Sequence, residues 1–200
     1  MLESFRPQFT RLLRPVSLFF IRFGIHPNIL TIVGVLLFSI GGWLLILDYW
    51  KLSLVFCTFG AFMDGLDGII ARETGRISTF GGILDSVCDR LTEIIWFGSL
   101  IIYYSLNNTN QSIYKTTVFL LFFAVTGSIM VSYTRARAEA ADIECKKGIL
   151  LRPERLIILA LFQFFGPFYM VFGLGFVAIV SYITVFQRIF IAYKNSLKNN

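Results

Sequence analysis

The stretch FMDGLDGIIARETGRISTFGGILDSVCDR, residues 62–90, places Asp64, Asp67, Asp85 and Asp89 between runs apolar enough to lie in a bilayer. Asp64 and Asp67 are three residues apart and Asp85 and Asp89 four apart, so on helices each pair shares one face. An ionised Asp near the middle of a spanning helix costs about 2.5–3.5 kcal/mol on insertion scales. Four such charges also repel one another. Divalent cations bridging the two helices would offset both costs. Oxygen donors without His or Cys suit a hard ion, Mg²⁺ or Mn²⁺, and two ions would fit a pyrophosphate undergoing in-line displacement. Solvated loop carboxylates are the plainer alternative, but they would not need the helical spacing.

Outward from this stretch, the chain of 200 residues is 56% hydrophobic with 22 Phe, and its mean hydropathy is +0.72. That composition predicts an all-α integral membrane protein. Six apolar stretches read as transmembrane helices: 28–47, 52–71, 81–104, 113–140, 155–165 and 168–193. Residues 1–25 carry Arg6, Arg11, Arg14 and Arg22 among Phe and Leu and read as an N-terminal interfacial helix, with no signal-peptide pattern. Neither an internal repeat nor a linker interrupts the chain. A single domain over 1–200, with residues 26–200 as a six-helix bundle, is the expectation.

The net charge of +6 is distributed as membrane topology requires, not as a nucleic-acid surface. Of the 18 Lys and Arg, all but Lys51 and Lys115 fall in segments that this topology puts inside. Both termini, and the acidic stretch, are therefore expected on the cytoplasmic side of the cell membrane. Two glycosylation-like triplets in 107–112 read as chance matches. Cys57, Cys88 and Cys145 lack metal-ligand spacing and read as packing residues.

The acidic stretch resembles the signature of the CDP-alcohol phosphotransferases, D-x-x-D-G-x-x-A-R, eight residues, then G-x-x-x-D-x-x-x-D. Asp64, Asp67, Gly68, Ala71, Arg72, Gly81, Asp85 and Asp89 fill it. The resemblance implies that a CDP-linked lipid donates a phosphatidyl-type group to a polar alcohol acceptor and that CMP leaves. It further implies Asp64, Asp67, Asp85 and Asp89 as metal ligands, with Asp89 also the general base. Gly68, Ala71, Arg72 and Ser78 would meet the nucleotide end together with Asp64. Gly81 would let helices or phosphate approach closely. His26, Pro27, Asn28 and Ile29 match a further contact segment, although Pro and Asn are also ordinary helix-start residues and His26 suits an interface. A homodimer is the assembly that the family implies.

A basic cluster, SYTRARAEA at 132–140, RPERL at 152–156 and FQR at 186–188, offers guanidinium forks to a phosphate. Arg135 and Arg137 point about 200° apart on a helix, and Arg135 can pair with Glu139 instead. Snorkelling toward the headgroups is the other use of such residues. Ser132, Arg137, Arg155 and Arg188 are similar to an acceptor-phosphate pocket in the branch making phosphatidylinositol phosphate or its archaeal ether-lipid counterpart, and Arg135 is a further candidate where that branch often carries Lys. Inositol 1-phosphate is thus the expected acceptor and glycerol 3-phosphate the near alternative. A cation-coupled transporter is the alternative from another class, since intramembrane acids also mark ion paths. The acids gather toward one leaflet and no inverted repeat accompanies them, which disfavours it.

Overall fold

The computed structural model describes residues 6–107, 111–145 and 147–199. Residues 108–110, which hold half of the two glycosylation-like triplets, and Lys146 lie outside them. Seven helices follow in order: α1 (Arg6–Arg22), α2 (Pro27–Ile46), α3 (Trp50–Glu73), α4 (Thr79–Asn107), α5 (Gln111–Glu139), α6 (Arg152–Phe164) and α7 (Pro167–Asn199). They form two compact units, Met1–Tyr103 and Tyr104–Asn200, whose boundary falls within α4.

The expectation of six spans is corrected. Among the described residues, four helices are long and apolar enough to cross a membrane: Pro27–Ile46, Trp50–Glu73, Tyr114–Glu139 and Pro167–Leu197. Helix α6 has 13 residues. At about 1.5 Å per residue it falls well short of a hydrocarbon layer about 30 Å thick. Helix α4 is long, with 29 residues, but Asp85, Asp89, Arg90 and Glu93 occupy its first half and leave 94–107 as its longest uncharged run. The apolar runs at 81–104 and 155–165 are real, but neither makes a full span by length and composition.

In the first unit, α2 and α3 pack face to face through glycine. A methyl group on Gly34 would stand 3.1 Å from the Gly60 carbonyl oxygen, and one on Gly60 would stand 2.9 Å from the Gly34 oxygen and 2.6 Å from the Phe38 ring. With no side chain between them, the backbones approach closely, as small residues allow in membrane helices. Further along α2, a methyl group on Gly41 would meet Cys57 Sγ at 2.7 Å. Phe38 against Trp96, and Trp50 edge-on to Tyr103, bring α4 alongside.

Helix α1 runs through Pro15 and docks on α3. Leu13 joins Leu30, Leu66, Ile69 and Ile70 in a buried cluster, with Val16, Phe20 and Ile21 packed on it. Buried Ser17 donates to Glu73 Oε2 at 3.1 Å, and Arg14 pairs with Glu73 Oε1 at 3.4 Å. The outward side carries exposed Leu18 and Phe19 between Arg14 and Arg22, the pattern of a helix lying at a headgroup boundary. Gly24 turns the chain into α2 at φ +67°.

In the second unit, α7 packs along α5 and against α6. A methyl group on Gly127 of α5 would meet Ser181 Cβ at 3.0 Å, and one on Gly173 of α7 would meet the Phe162 ring at 2.7 Å. Gly166, at φ +97°, makes the sharp turn from α6 to α7, a conformation natural only to glycine. Large apolar side chains such as Trp43, Phe59, Phe172 and Phe186 are exposed. On helices that span a bilayer, such surfaces meet lipid. The chain is a multi-pass membrane protein.

Candidate active site

The helical spacing does at Asp64, Asp67 and Asp85 what it promises. Each offers a carboxylate oxygen, and these atoms lie within 4.8 Å of one another; Asp67 is buried and the other two are partly so. α3 supplies the first two and α4 the third. Burying such a charge needs partners, and α2 provides one: Thr31 Oγ1 donates to Asp67 Oδ2 and lies 3.4 Å from the Pro27 carbonyl oxygen. Asp89, one turn beyond Asp85, is not among the three that converge; its Oδ2 lies 3.9 Å from an Arg90 nitrogen.

Beside the carboxylates is a cavity of about 280 Å³ bordered by Asp67 and Asp85. Pro27, Asn28, Gly68, Ala71, Arg72, Ser78 and Gly81, all singled out in the sequence, line it. The Arg72 guanidinium lies over Gly68, where a methyl group would stand 3.4 Å from its nitrogen. Ser78, just before α4, accepts from the Gly81 amide at 3.0 Å, satisfying one open donor of the first helical turn. A methyl group on Gly81 would come within 3.0 Å of that hydroxyl and 3.4 Å of Asn28 Oδ1.

Asp64, expected at the nucleotide end, stands with the carboxylates and not in the cavity lining, and two expected members stand apart from both. His26 does not line the cavity; its Nδ1 accepts from the Asn28 amide at 3.3 Å and caps α2. Ile29 is exposed on the outside of α2. Conversely, Thr31, Arg76, Ile77 and Gly82 line the cavity and were not picked out beforehand. Thr31 had a legible signal, since it lies four residues after Pro27 and thus on the same helical face. Arg76 had none beyond its position in the α3–α4 connection; its guanidinium reaches the Gly24 carbonyl at 3.5 Å.

The basic cluster belongs to the second unit. Arg155 and Arg188 are almost fully buried. Arg188 donates to the carbonyls of Val131 and, at 3.3 Å, Lys147, while Arg155 donates to that of Leu150 at 3.3 Å. Arg135 pairs with Glu139 at 2.8 Å in an exposed bridge. Arg137 is exposed, and Ser132 is half-buried on α5. The segment joining α5 to α6 is fastened to α7: the amides of Ile149 and Leu150 donate to Gln187 and Thr184, each at 3.2 Å, and Asn195 donates to the Glu144 carbonyl at 2.9 Å. A methyl group on Gly148 would stand 3.2 Å from Arg188 Nε. In this segment, burial pushes the Cys145 thiol above its ordinary range, with Arg188 and Arg135 pulling the other way. A thiol held neutral is a packing group, not a nucleophile.

Comparison with known proteins gives the family. The sequence model of CDP-alcohol phosphatidyltransferases matches residues 24–192. The archaetidylinositol phosphate synthase of Pyrococcus horikoshii is 37% identical over 196 residues, covering 97% of this chain and 97% of that protein. The crystal structure of Mycobacterium tuberculosis phosphatidylinositol phosphate synthase with CDP-DAG bound is similar at 28% identity and a TM-score of 0.80, over 92% of this chain and 94% of that one. The same enzyme in complex with manganese and citrate gives a TM-score of 0.79 at 28% identity, over 90% and 88%. With every signature position filled, three of its carboxylates converging beside a cavity and the match running through both units, the chain belongs to the CDP-alcohol phosphatidyltransferase family.

Proposed function

We propose that this protein transfers a phosphatidyl-type group from a CDP-linked lipid to inositol 1-phosphate, giving a phosphatidylinositol phosphate-type product and CMP. The observation that carries this reading is the convergence of Asp64, Asp67 and Asp85 at the edge of the cavity lined by Asn28, Gly68, Arg72 and Ser78. A donor set made only of carboxylate oxygens fits a hard divalent cation. We assign Asp64, Asp67 and Asp85 as its ligands, with Asp89 contributing to a second ion, Mg²⁺ or Mn²⁺. Bound there, such ions supply charge neutralisation for a diphosphate in displacement.

The protein's own groups do the rest. Gly68 and Gly81 allow the nucleotide end close to the backbone, and Arg72, Ser78 and Asn28 orient it. Asp89 takes the proton from the acceptor hydroxyl. That oxygen bonds to the lipid-bearing phosphorus as the bond to the CMP oxygen breaks, and CMP leaves. Ser132, Arg137, Arg155 and Arg188 are assigned to the acceptor's phosphate, with Arg135 as a further contact; guanidinium chemistry and the activities of the two named relatives support this.

Arg14, Arg22, Arg72, Arg76 and Arg90 accompany the acidic end of α3 and Lys51 its opposite end. This supports an active site at the cytoplasmic face of the cell membrane. The family match from 24 to 192 supports one functional domain across both units, and a homodimer is the assembly we expect.

The test is CMP release by purified protein with Mg²⁺, either CDP-diacylglycerol or its ether analogue, and a panel of acceptors. Inositol 1-phosphate should serve best. Preference for glycerol 3-phosphate would move the acceptor assignment, and preference for unphosphorylated inositol or serine would remove the role given to the arginines. Metal-dependent flux into liposomes without CMP release would instead mark a transporter.

A further inference from the structure

Thr31 touches the acidic cluster from a third helix. It lies on α2, 36 residues from Asp67 in the chain, and is buried. Its hydroxyl has one proton and two acceptors in reach, Asp67 Oδ2 and the Pro27 carbonyl oxygen at 3.4 Å. The carboxylate oxygen is the nearer and carries the charge, so it takes the proton. Asp67 is thereby held by one oxygen from α2, while it converges from α3 with Asp64 and Asp85. The reach of a short hydroxyl across two helices depends on the glycine contact one turn away, where Gly34 and Gly60 leave no side chain between the backbones.

We infer that Thr31 is a positioning residue for the cation site: its hydroxyl fixes the Asp67 carboxylate, reserving the other oxygen for a divalent ion. The inference rests on reading the carboxylates as a cation site. Partners that orient a ligating carboxylate change metal affinity without touching the ion, typically by 10–100-fold.

The probe is Mn²⁺ alone, titrated into the full-length protein in detergent and followed by the electron paramagnetic resonance of unbound Mn²⁺. Thr31→Val keeps the shape and removes the hydroxyl; its Kd for Mn²⁺ should rise about tenfold, the low end for such partners. Thr31→Ser restores the hydroxyl and should bind within about threefold of the natural protein, since donor and acceptor are again present. In turnover, Thr31→Val should need more metal for half-maximal rate, while its rate at saturating metal stays within about twofold, the split expected when binding alone is weakened. A packing role would not move that split or be rescued by Ser. Should Thr31→Val fail to fold, Thr31→Ala supplies the same comparison. An unchanged Kd in the folded hydroxyl-free variant, or a Ser variant as weak as it, overturns the inference. If the natural protein binds no Mn²⁺, the reading of the carboxylates as a cation site fails first, and this inference with it.

Discussion

The two units bury charge in opposite ways. In the first, carboxylates from two helices are gathered round a cavity, and glycine, alanine and small hydroxyls keep the space beside them open. In the second, the buried guanidiniums of Arg188 and Arg155 reach backbone carbonyls of the α5–α6 segment and of α5, and so fasten chain to chain. Charge arranged around space is suited to a ligand; charge spent on carbonyls is suited to holding a loop. Loss of the chemical step and loss of stability should therefore separate along the chain.

The sharpest break comes from the acids. Asp89→Asn should lower CMP release by about 10²–10⁴-fold, the range that a general base supplies. Asp85→Asn and Asp67→Asn should abolish it, as should chelation, with Mg²⁺ or Mn²⁺ restoring activity to the natural protein. None of these should lower the unfolding temperature, because each removes one of several like charges held close together. A fall of many degrees for Asp85→Asn would erase the distinction between the units.

Arg188→Met tests the other side. The carbonyls of Val131 and Lys147 lose the guanidinium donor, and a hydrogen bond to a charged group is worth about 1.5–3 kcal/mol. The unfolding temperature should drop, and proteolysis should open the chain between 140 and 151. If Arg188 also meets the acceptor's phosphate, the KM for inositol 1-phosphate rises in the same variant. Intermediate in size is Gly60→Ala, where the new methyl group meets the Gly34 oxygen and the Phe38 ring; overpacking of this kind costs about 1–3 kcal/mol. Smallest is Arg135→Ala. Its bridge to Glu139 is nearly half exposed at both ends, so thermal unfolding should register about 0.5 kcal/mol or less.

What could be read from the letters follows the same division. The acidic signature was legible because its chemistry is local: two helical spacings and a fixed gap suffice to bring three carboxylates together. The Arg135–Glu139 bridge is one helical turn, and it forms. Counting spans by apolar runs failed at α4 and α6, because a run says nothing of where charge or a short helix leaves the membrane requirement unmet. Thr184 and Gln187 act on partners more than 30 residues away, and such ties leave no periodic trace; the spacing of Thr31 from Pro27 marks its face of α2 but not its bond to Asp67. Burial of Arg155 and Arg188 was equally hidden, since an arginine bonded to carbonyls is spelled no differently from one that snorkels.

The glycine seam between α2 and α3 has a practical corollary for anyone seeking a hardier protein. Replacing helical glycines by alanine is a common route to heat resistance, and at Gly98, where a methyl group would find open space, it is worth trying. At Gly34, Gly41 and Gly60 the same exchange would wedge the helices apart and pull a hydroxyl away from the carboxylate it steadies. The residues that an engineer would first discard are the ones that set the width of the gap.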